Sequence, residues 1–477
     1  FWYEDIFLNE TLSPLKPARY KSAGELMKME KINKYTFTVS FVEKNVGWVF
    51  QEIVAAYYNP VLFAPKHYLK KFHPAYTSMD KIEEEIKKEG FSTWSDLFLA
   101  KHNERAGNPD LPVVNPWVPQ QLWGSPLQIW VRNPYYWKVD TEGNQLPYLD
   151  KLEWTLMPDL EARLLKAIAG EADFQANLGI LNYPLVMQNQ EKGDYRVVLG
   201  YNSATNWGTI YFNMHHKDPV LGELFQNRDF RVALSIGINR DEINQLVFKG
   251  QCTPAQATAP KGNPFYKEEF AKAYTEYDPK KANEVLDEIG LTERDKAGYR
   301  LRSDGKRLQF VLHHWSWGQN ASIAELIPGY WKDLGIQLIV KPVAGQLSGA
   351  LIASGEYDVY MYACGFGKLP IINENFVPGR AATFLQAPQW GVWVNTNGES
   401  GVEPPAQVKQ IVKIDRTLSS TTDPDKRLAL GEEILEIHAE NFWMIGMLNQ
   451  SDIHNFYLVA NRFRNVPESL ANTGSNS

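Results

Sequence analysis

The segment from Arg132 to Phe174, RNPYYWKVDTEGNQLPYLDKLEWTLMPDLEARLLKAIAGEADF, constrains the fold more than any other part of the chain. An aromatic Asn-Pro turn is followed by a Gly143-Asn144 turn and by a run, Lys151 to Leu156, that predicts a strand. Pro158 and Asp159 then open a helix that carries Leu160, Leu164, Leu165 and Ile168 on one face and stops at Gly170. Glu171 to Phe174 begins a second strand. Strand, helix and strand in this order build an α/β lobe, because the helix must bury its apolar stripe against a sheet. No catalytic constellation stands in the segment.

A chain of 477 residues is too long for one hydrophobic core, so two or more lobes are expected. Its 15 Trp, 23 Tyr and 23 Phe exceed what cores of this size usually need. Large rigid rings suit clefts that stack on sugar rings or apolar side chains, and they serve equally as core filler. A net charge of −7 and a pI near 5.8 argue against a nucleic-acid partner, which needs a basic face. The pairs Lys87-Lys88 and Lys280-Lys281 read as solvated helix faces. Cys252 and Cys364 sit in neither a C-x-x-C nor a zinc-like spacing. Whether they pair or lie buried as small apolar groups is left open, and they do not decide the compartment. No apolar run reaches the roughly 18 residues needed to cross a bilayer, and the 477 residues contain no signal peptide.

FWYEDIFLNE at the start reads as an amphipathic helix with Trp2, Ile6 and Phe7 inward. KYTFTVSFVEK and GWVFQEIVAA carry strand signals, and FAPKHYLKKFHP follows. His67 and His73 lack a carboxylate or a third imidazole at ligand spacing, so no metal site is expected there. Thr209 to Asn213 predicts a strand that breaks at Lys217-Asp218-Pro219. A helix follows from about Asp229, with Val232, Ala233, Ile236 and Ile238 inward, and Asn239-Arg240-Asp241-Glu242 caps the next one. His215 and His216 read as polar residues of a turn. Residues 277–291 predict a Pro-started helix, 323–343 a helix, a Gly335 stop and a strand, and 421–450 a long helix followed by a strand over Phe442 to Leu448.

The Arg132–Phe174 segment, with its NPxYW turn and A-G-E-x-D-F terminus, resembles the signature of family 5 bacterial extracytoplasmic solute-binding proteins, the capture subunits of ABC importers. Residues 209–250 and 277–291 resemble further elements of that family. The resemblance implies an α/β, two-lobe periplasmic-binding-protein-like fold (class II, large cluster with an extra subdomain), with lobes joined by hinge strands. It implies an extra subdomain over 1–112, lobe I over 113–208 and 449–477, and lobe II over 209–448. Tyr135, Tyr136 and Trp137 are then assigned to lobe I packing. It also implies that an N-terminal part of lobe I, with the signal peptide and any lipid anchor, precedes Phe1, and that the C-terminal end is clipped. The expected protein is periplasmic or extracytoplasmic and monomeric. Its expected partners are a small-molecule ligand and ABC permease subunits.

No G-x-S-x-G, H-E-x-x-H or G-x-x-x-x-G-K-[ST] motif is present, and Gly365-Phe366-Gly367 runs into Pro370 instead of a dinucleotide fingerprint. No catalytic residue, cofactor or metal is expected. A hydrolase acting on oligosaccharides or peptides and a nickel or nickel-chelate binder are the alternatives. The binding reading needs only hinge closure on a ligand, which stabilises the closed state. By the resemblance, the segment facing the ligand is 357–395. Peptide binders of the family commonly carry an aspartate after its strand for a peptide's α-ammonium group. Phe366-Gly367-Lys368-Leu369-Pro370 stands there instead, with Glu374 the nearest acid. Either Glu374 substitutes, or the ligand is an uncharged oligosaccharide stacked on aromatic rings. The candidate ligand-binding residues are Trp207, Asn213, Trp315, Trp317, Phe366, Glu374, Trp390 and Trp393, with Trp315 and Trp317 on one side of an extended stretch.

Overall fold

The computed structural model describes residues 1–14, 16, 20–22, 24–46, 48, 64–103, 108–121, 125–157, 159–201, 206–315, 319–364, 372, 374–379, 384–449 and 455–471. The chain divides into two compact units, one of residues 1–16, 26–40 and 47–166 and one of residues 17–25, 41–46 and 167–477.

The first unit opens with a short π-helix, Trp2–Phe7, that buries Trp2, Ile6 and Phe7 as their spacing predicts. β1 (Lys28–Lys31) and β2 (Phe37–Ser40) pair as an antiparallel hairpin. Apart from Trp48, GWVFQEIVAA lies outside the described residues. α1 (Met79–Glu89) and α2 (Trp94–His102) follow, the second capped by the Thr93 hydroxyl, which accepts from Asp96 N. His73 is buried among the rings of Trp94 and Phe98. Its Nδ1 accepts from Ala75 N at 3.2 Å and its Nε2 lies 3.1 Å from Asp5 O, so both ring nitrogens serve the fold. β3 (Trp117–Pro119), β4 (Leu127–Arg132) and β5 (Lys151–Thr155) form an antiparallel sheet.

The aromatic turn between β4 and β5 departs from expectation. Tyr135 is 90% and Trp137 69% exposed, so these rings are not packed in a core. Polar side chains hold the turn instead. Asn133 Nδ2 donates to Val113 O and Asn115 O, and Gln145 Nε2 to Pro134 O and Tyr136 O. The Asp140 carboxylate accepts from Glu142 N, Asn144 N, Asn144 Nδ2 and Tyr148 OH. These bonds hold its pKa down at about 2, the Asn144 side chain contributing most. α3 (Leu160–Ile168) forms where predicted, with Asp159 accepting from Ala162 N. Its buried stripe is narrower than the pattern suggests: Leu164 and Ala167 are buried, whereas Leu160 and Leu165 are exposed.

The second unit holds two sheets. In the smaller, β6 (Phe174–Gln175), β7 (Tyr195–Tyr201), β15 (Asn455–Ala460) and β16 (Ser469–Ala471) run in the order β16-β7-β15-β6. The larger, seven-stranded sheet is built from β8 (Asn206–Phe212), β9 (Thr253–Pro254), β10 (Gln309–Trp315), β11 (Gln337–Val343), β12 (Val359–Cys364), β13 (Met444–Ile445) and β14 (Leu448–Asn449). Its order is β9-β14-β8-β12-β10-β11, with β13 also pairing with β8. The predicted strand over Phe442 to Leu448 is thus two short pieces, both antiparallel to β8.

Local sequence sets the helices around this sheet. The Lys217-Asp218-Pro219 break is itself a helix start: Asp218 Oδ1 accepts from Val220 N and Leu221 N and opens α4 (Pro219–Gln226). α5 (Arg228–Ile236) and α6 (Arg240–Phe248) follow, the second capped by Asn239 as predicted. α7 (Pro279–Glu288) is capped by Asp278, and α8 (Asn320–Asp333) leads through Gly335 into β11. α9 (Gly345–Ser354) links β11 to β12. α10 (Pro388–Asn395), α11 (Ala406–Ser420) and α12 (Pro424–Asn441) complete the unit, the last capped by Asp423. One continuous core runs beneath, from Ile210, Tyr211 and Phe212 through Trp331 to Ile434 and Ile445. Cys252 and Cys364 are both buried. Among the described residues no helix is long and apolar enough to cross a membrane.

Candidate ligand site at one edge of the mixed sheet

β10 is parallel both to β11 and to β12. The chain leaves β10 through α8 to β11 on one side, then returns through α9 to β12 on the other. The chain therefore changes direction around β10, and in open α/β sheets the carboxyl end beside such a switch is where ligands commonly sit. Trp315 is the last residue of β10. Its indole stacks on Tyr362 of β12 with ring centroids 5.5 Å apart and planes inclined by 26°. On another side, a Cβ placed on Gly345 would come 2.8 Å from Trp315 Nε1, so glycine there gives the indole its room. Both rings are half-buried.

β8 enters the same edge from the opposite direction. Asn206 pairs with Cys364 of β12 and with Asn449 of β14, and Trp207 with Leu448. The Asn206 side chain is committed to the fold: Nδ2 donates to Ala255 O and Asn449 Oδ1, and Oδ1 accepts from Thr209 Oγ1 and Met447 N. Asn320, at the start of α8, accepts from Gly208 N at 3.2 Å, while its Nδ2 has no acceptor although fully buried.

The candidate residues divide around this edge. Trp315 stands on it, and Trp207 reaches it by backbone while its ring is buried in the core. Trp317 and Phe366 lie outside the described residues. Glu374 begins a single turn of 3-10 helix, Glu374–Phe376. Asn213 follows β8 at the opposite edge, where its Nδ2 donates to Gly355 O and Tyr357 O, both at 3.0 Å. That is a strand-to-loop clamp, remote from Trp315 by the length of the strand, about 20 Å. Trp390 is a core residue of α10. It lines a narrow interior gap with Phe376, Phe384, Gln386, Trp443 and His438. Trp393, one turn further on, is half-buried and covers Gly398.

Charge is gathered at the opposite edge. His216 Nε2 lies 2.8 Å from Asp358 Oδ1, and Asp358 Oδ2 accepts from Val311 N. Burial alone would lower the His216 pKa, but the Asp358 hydrogen bond and charge outweigh it and hold it above the ordinary value. Burial likewise works against the Asp358 carboxylate, and the His216 contact still brings its pKa down. Arg302 pairs with Asp218 at 2.8 Å and with Asp304, and Lys217 with Glu356 at 2.6 Å. An open hollow lined by Met214, His215, His216 and Glu223 lies here. No Trp, Tyr or Phe lines the hollow, and His216 on its wall is already engaged by Asp358, so it is a weaker candidate than the aromatic edge for a stacked ligand. Among the described residues no three His, Cys, Asp or Glu side chains gather as a metal site.

Comparison with known proteins decides the family. The model of bacterial extracellular solute-binding proteins, family 5 Middle, matches residues 1–371 of the 477. The chain belongs to this family. A relative, the periplasmic alpha-galactoside-binding protein of Rhizobium meliloti (strain 1021), is 26% identical over 480 residues, covering 98% of this chain and 65% of that protein. The chain thus spans just under two thirds of that relative's length. Among solved structures, an oligopeptide-binding protein OppA is 35% identical with a TM-score of 0.64, covering 99% of this chain and 76% of that one. The periplasmic binding protein MelB of Agrobacterium fabrum C58, in complex with stachyose, has a TM-score of 0.71 at 22% identity and covers 95% of this chain and 65% of that one. The last shows likeness of fold alone. The family 5 fold is the α/β, two-lobe periplasmic-binding-protein-like fold that the sequence predicts.

Tyr362 and Gly345 were missed by motif reading. The alternation in VYMYAC, which places Tyr360 and Tyr362 on one face of β12, is the signal that points to the first. Gly345 has none, because its role is set by an indole 30 residues earlier.

Proposed function

We propose that the chain is the ligand-capturing part of an extracytoplasmic, family 5 solute-binding subunit of an ABC importer. It binds an oligopeptide or a short oligosaccharide and delivers it to a membrane permease, without catalysing a reaction. The observation that carries this reading is the family match over residues 1–371. The relatives named above are called binding proteins, one for an alpha-galactoside and one for oligopeptides. In this reading the ligand meets the aromatic pair at the C-terminal end of β10, which the half-buried Trp315–Tyr362 stack supports. In this reading residues 209–448 form the lobe that carries that edge, residues 113–208 with 449–477 belong to lobe I, and 1–112 form the extra subdomain. Trp317, Phe366 and Glu374 would approach the ligand from the segments that follow β10 and β12, and Trp393 would support it.

A thermal-shift screen with short peptides and neutral oligosaccharides tests the proposal. A bound ligand at a hundred times its Kd stabilises by about 3 kcal/mol, so the right class raises Tm measurably. Turnover of any such compound by the purified protein overturns the binding-only reading.

A further inference from the structure

The proposed capture role leaves the ligand class open, and the two edges of the seven-stranded sheet differ in the property that separates peptides from sugars. The described residues at the Trp315 edge are 206–208, 252–256, 314–315, 319–320, 342–345, 361–364 and 447–449. None is Asp, Glu, Lys or Arg. Its one histidine, His314, is buried with Nδ1 3.2 Å from Trp315 O. The remaining polar groups are amides, the Thr253 and Tyr362 hydroxyls and backbone, and the half-buried rings are Trp315 and Tyr362. Lys341, on β11 two positions before Val343, is exposed one step inside this edge; the ion pairs stand at the other ends of the strands, where Arg302, Asp218, Asp304, His216, Asp358, Lys217 and Glu356 pair with one another.

A free peptide brings an ammonium and a carboxylate. Removing either from water without an opposite charge costs far more than a stacking contact returns. A pyranose ring brings an apolar face and hydroxyls, which a half-buried aromatic pair and neutral amides satisfy. From this we infer that the Trp315 edge takes an uncharged, hydroxyl-rich ligand, a short oligosaccharide, with one sugar ring seated against the Trp315–Tyr362 stack. The inference rests on the capture reading above. Gly345 belongs to the same subsite, since it sets where the indole lies.

The test is isothermal titration of the purified 477-residue protein against neutral tri- and tetrasaccharides of the cello-, xylo-, manno- and α-galacto- series, and against zwitterionic tetra- and pentapeptides. One saccharide series is expected to bind, with an affinity that changes less than about twofold between 0.05 and 0.5 M salt, because no charge is neutralised. Trp315→Ala should weaken that binding about tenfold or more, and Trp315→Phe by about threefold or less. Tyr362→Leu provides a second route should Trp315→Ala fail to fold. Peptide binding without saccharide binding overturns the inference while the capture reading stands, and its loss in Glu374→Gln would show that Glu374 supplies the missing acid. Saccharide binding unchanged in both Trp315→Phe and Tyr362→Leu, with Trp315→Ala unchanged or unfolded, also overturns it. No binding by either class overturns the capture reading itself.

Discussion

The two edges of the seven-stranded sheet are made from the same strands and have opposite chemistry. At one, Arg302 bridges Asp218 and Asp304, His216 meets Asp358, and Asn213 ties β8 to the turn before β12. Each of these charges or amides is satisfied inside the protein, so the edge behaves as a clamp. At the other, Trp315 and Tyr362 stack half-exposed, the described residues level with them carry no formal charge, and Asn320 keeps a buried donor without an acceptor. Ion pairs fix geometry only while both partners remain, whereas an aromatic face offers surface to a newcomer. The contrast separates groups that hold the lobe from rings that present part of their face to solvent.

That separation can be broken from either side. The largest effect is expected at the charged edge. Arg302→Ala strands two carboxylates, one of which also caps α4, and should lower stability by about 3–4 kcal/mol in urea unfolding. Ligand affinity of the folded variant should change less than about twofold if the edge is purely structural. The interior beneath the sheet gives a pH effect of similar size. Burial holds His438 neutral, with its pKa pushed down to about 4. The unfolded chain takes up that proton near pH 6.5, so this contribution is fully present above pH 6.5 and disappears as pH falls toward 4. The difference amounts to about 3 kcal/mol. Urea titrations at several pH values should show that slope in the native protein and a flatter one in His438→Gln.

A smaller effect of opposite sign belongs to the charged edge. The raised pKa of His216 means that its pairing with Asp358 is fully stabilising below the ordinary histidine value and fades as pH rises through the folded value. On the acid side, the lowered Asp358 pKa means the pairing persists below the ordinary carboxylate range and is lost only as pH falls through the folded value. Asp358→Asn should remove about 1 kcal/mol near pH 6 and much less near pH 9. Smallest in stability is Gly345→Ala. Its methyl displaces the Trp315 indole at a cost of roughly 1 kcal/mol or less while weakening ligand binding severalfold. A loss of affinity in Arg302→Ala matching that in Gly345→Ala would erase the distinction between the edges.

Much of the fold was legible because it is local. Asn239 reads as a cap in the sequence, and Asp278 and Asp423, which do not enter that reading, follow the same local rule: each accepts from a backbone N–H three residues later. The strand and helix of the Arg132–Phe174 segment were equally readable. Its exposed Tyr135 and Trp137 were not, because hydrophobicity predicts burial while Asn133, Asp140 and Gln145 shape that turn by hydrogen bonds. The site was legible only in part. Trp207 and Asn213 flank one seven-residue strand, and no local pattern tells which end faces a ligand. Trp390 looked like a platform and is core, since a tryptophan serves either purpose until its neighbours are known.

Composition, capping and periodicity by themselves determined an acidic, aromatic-rich α/β chain, and the family segments were legible by resemblance. Those properties depend on residues a few positions apart, where spacing alone dictates structure. The tertiary structure decided that Trp315 and Tyr362, 47 positions apart, share one stack, and that His216 and Asp358, 142 apart, lie 2.8 Å from each other. Parallel pairing on both sides of β10 put the first couple at one end of the sheet, and antiparallel pairing of β8 with β12 put the second at the other. Strand order is a long-range choice made by the burial of whole faces, and period-two alternation records the face but never the neighbour.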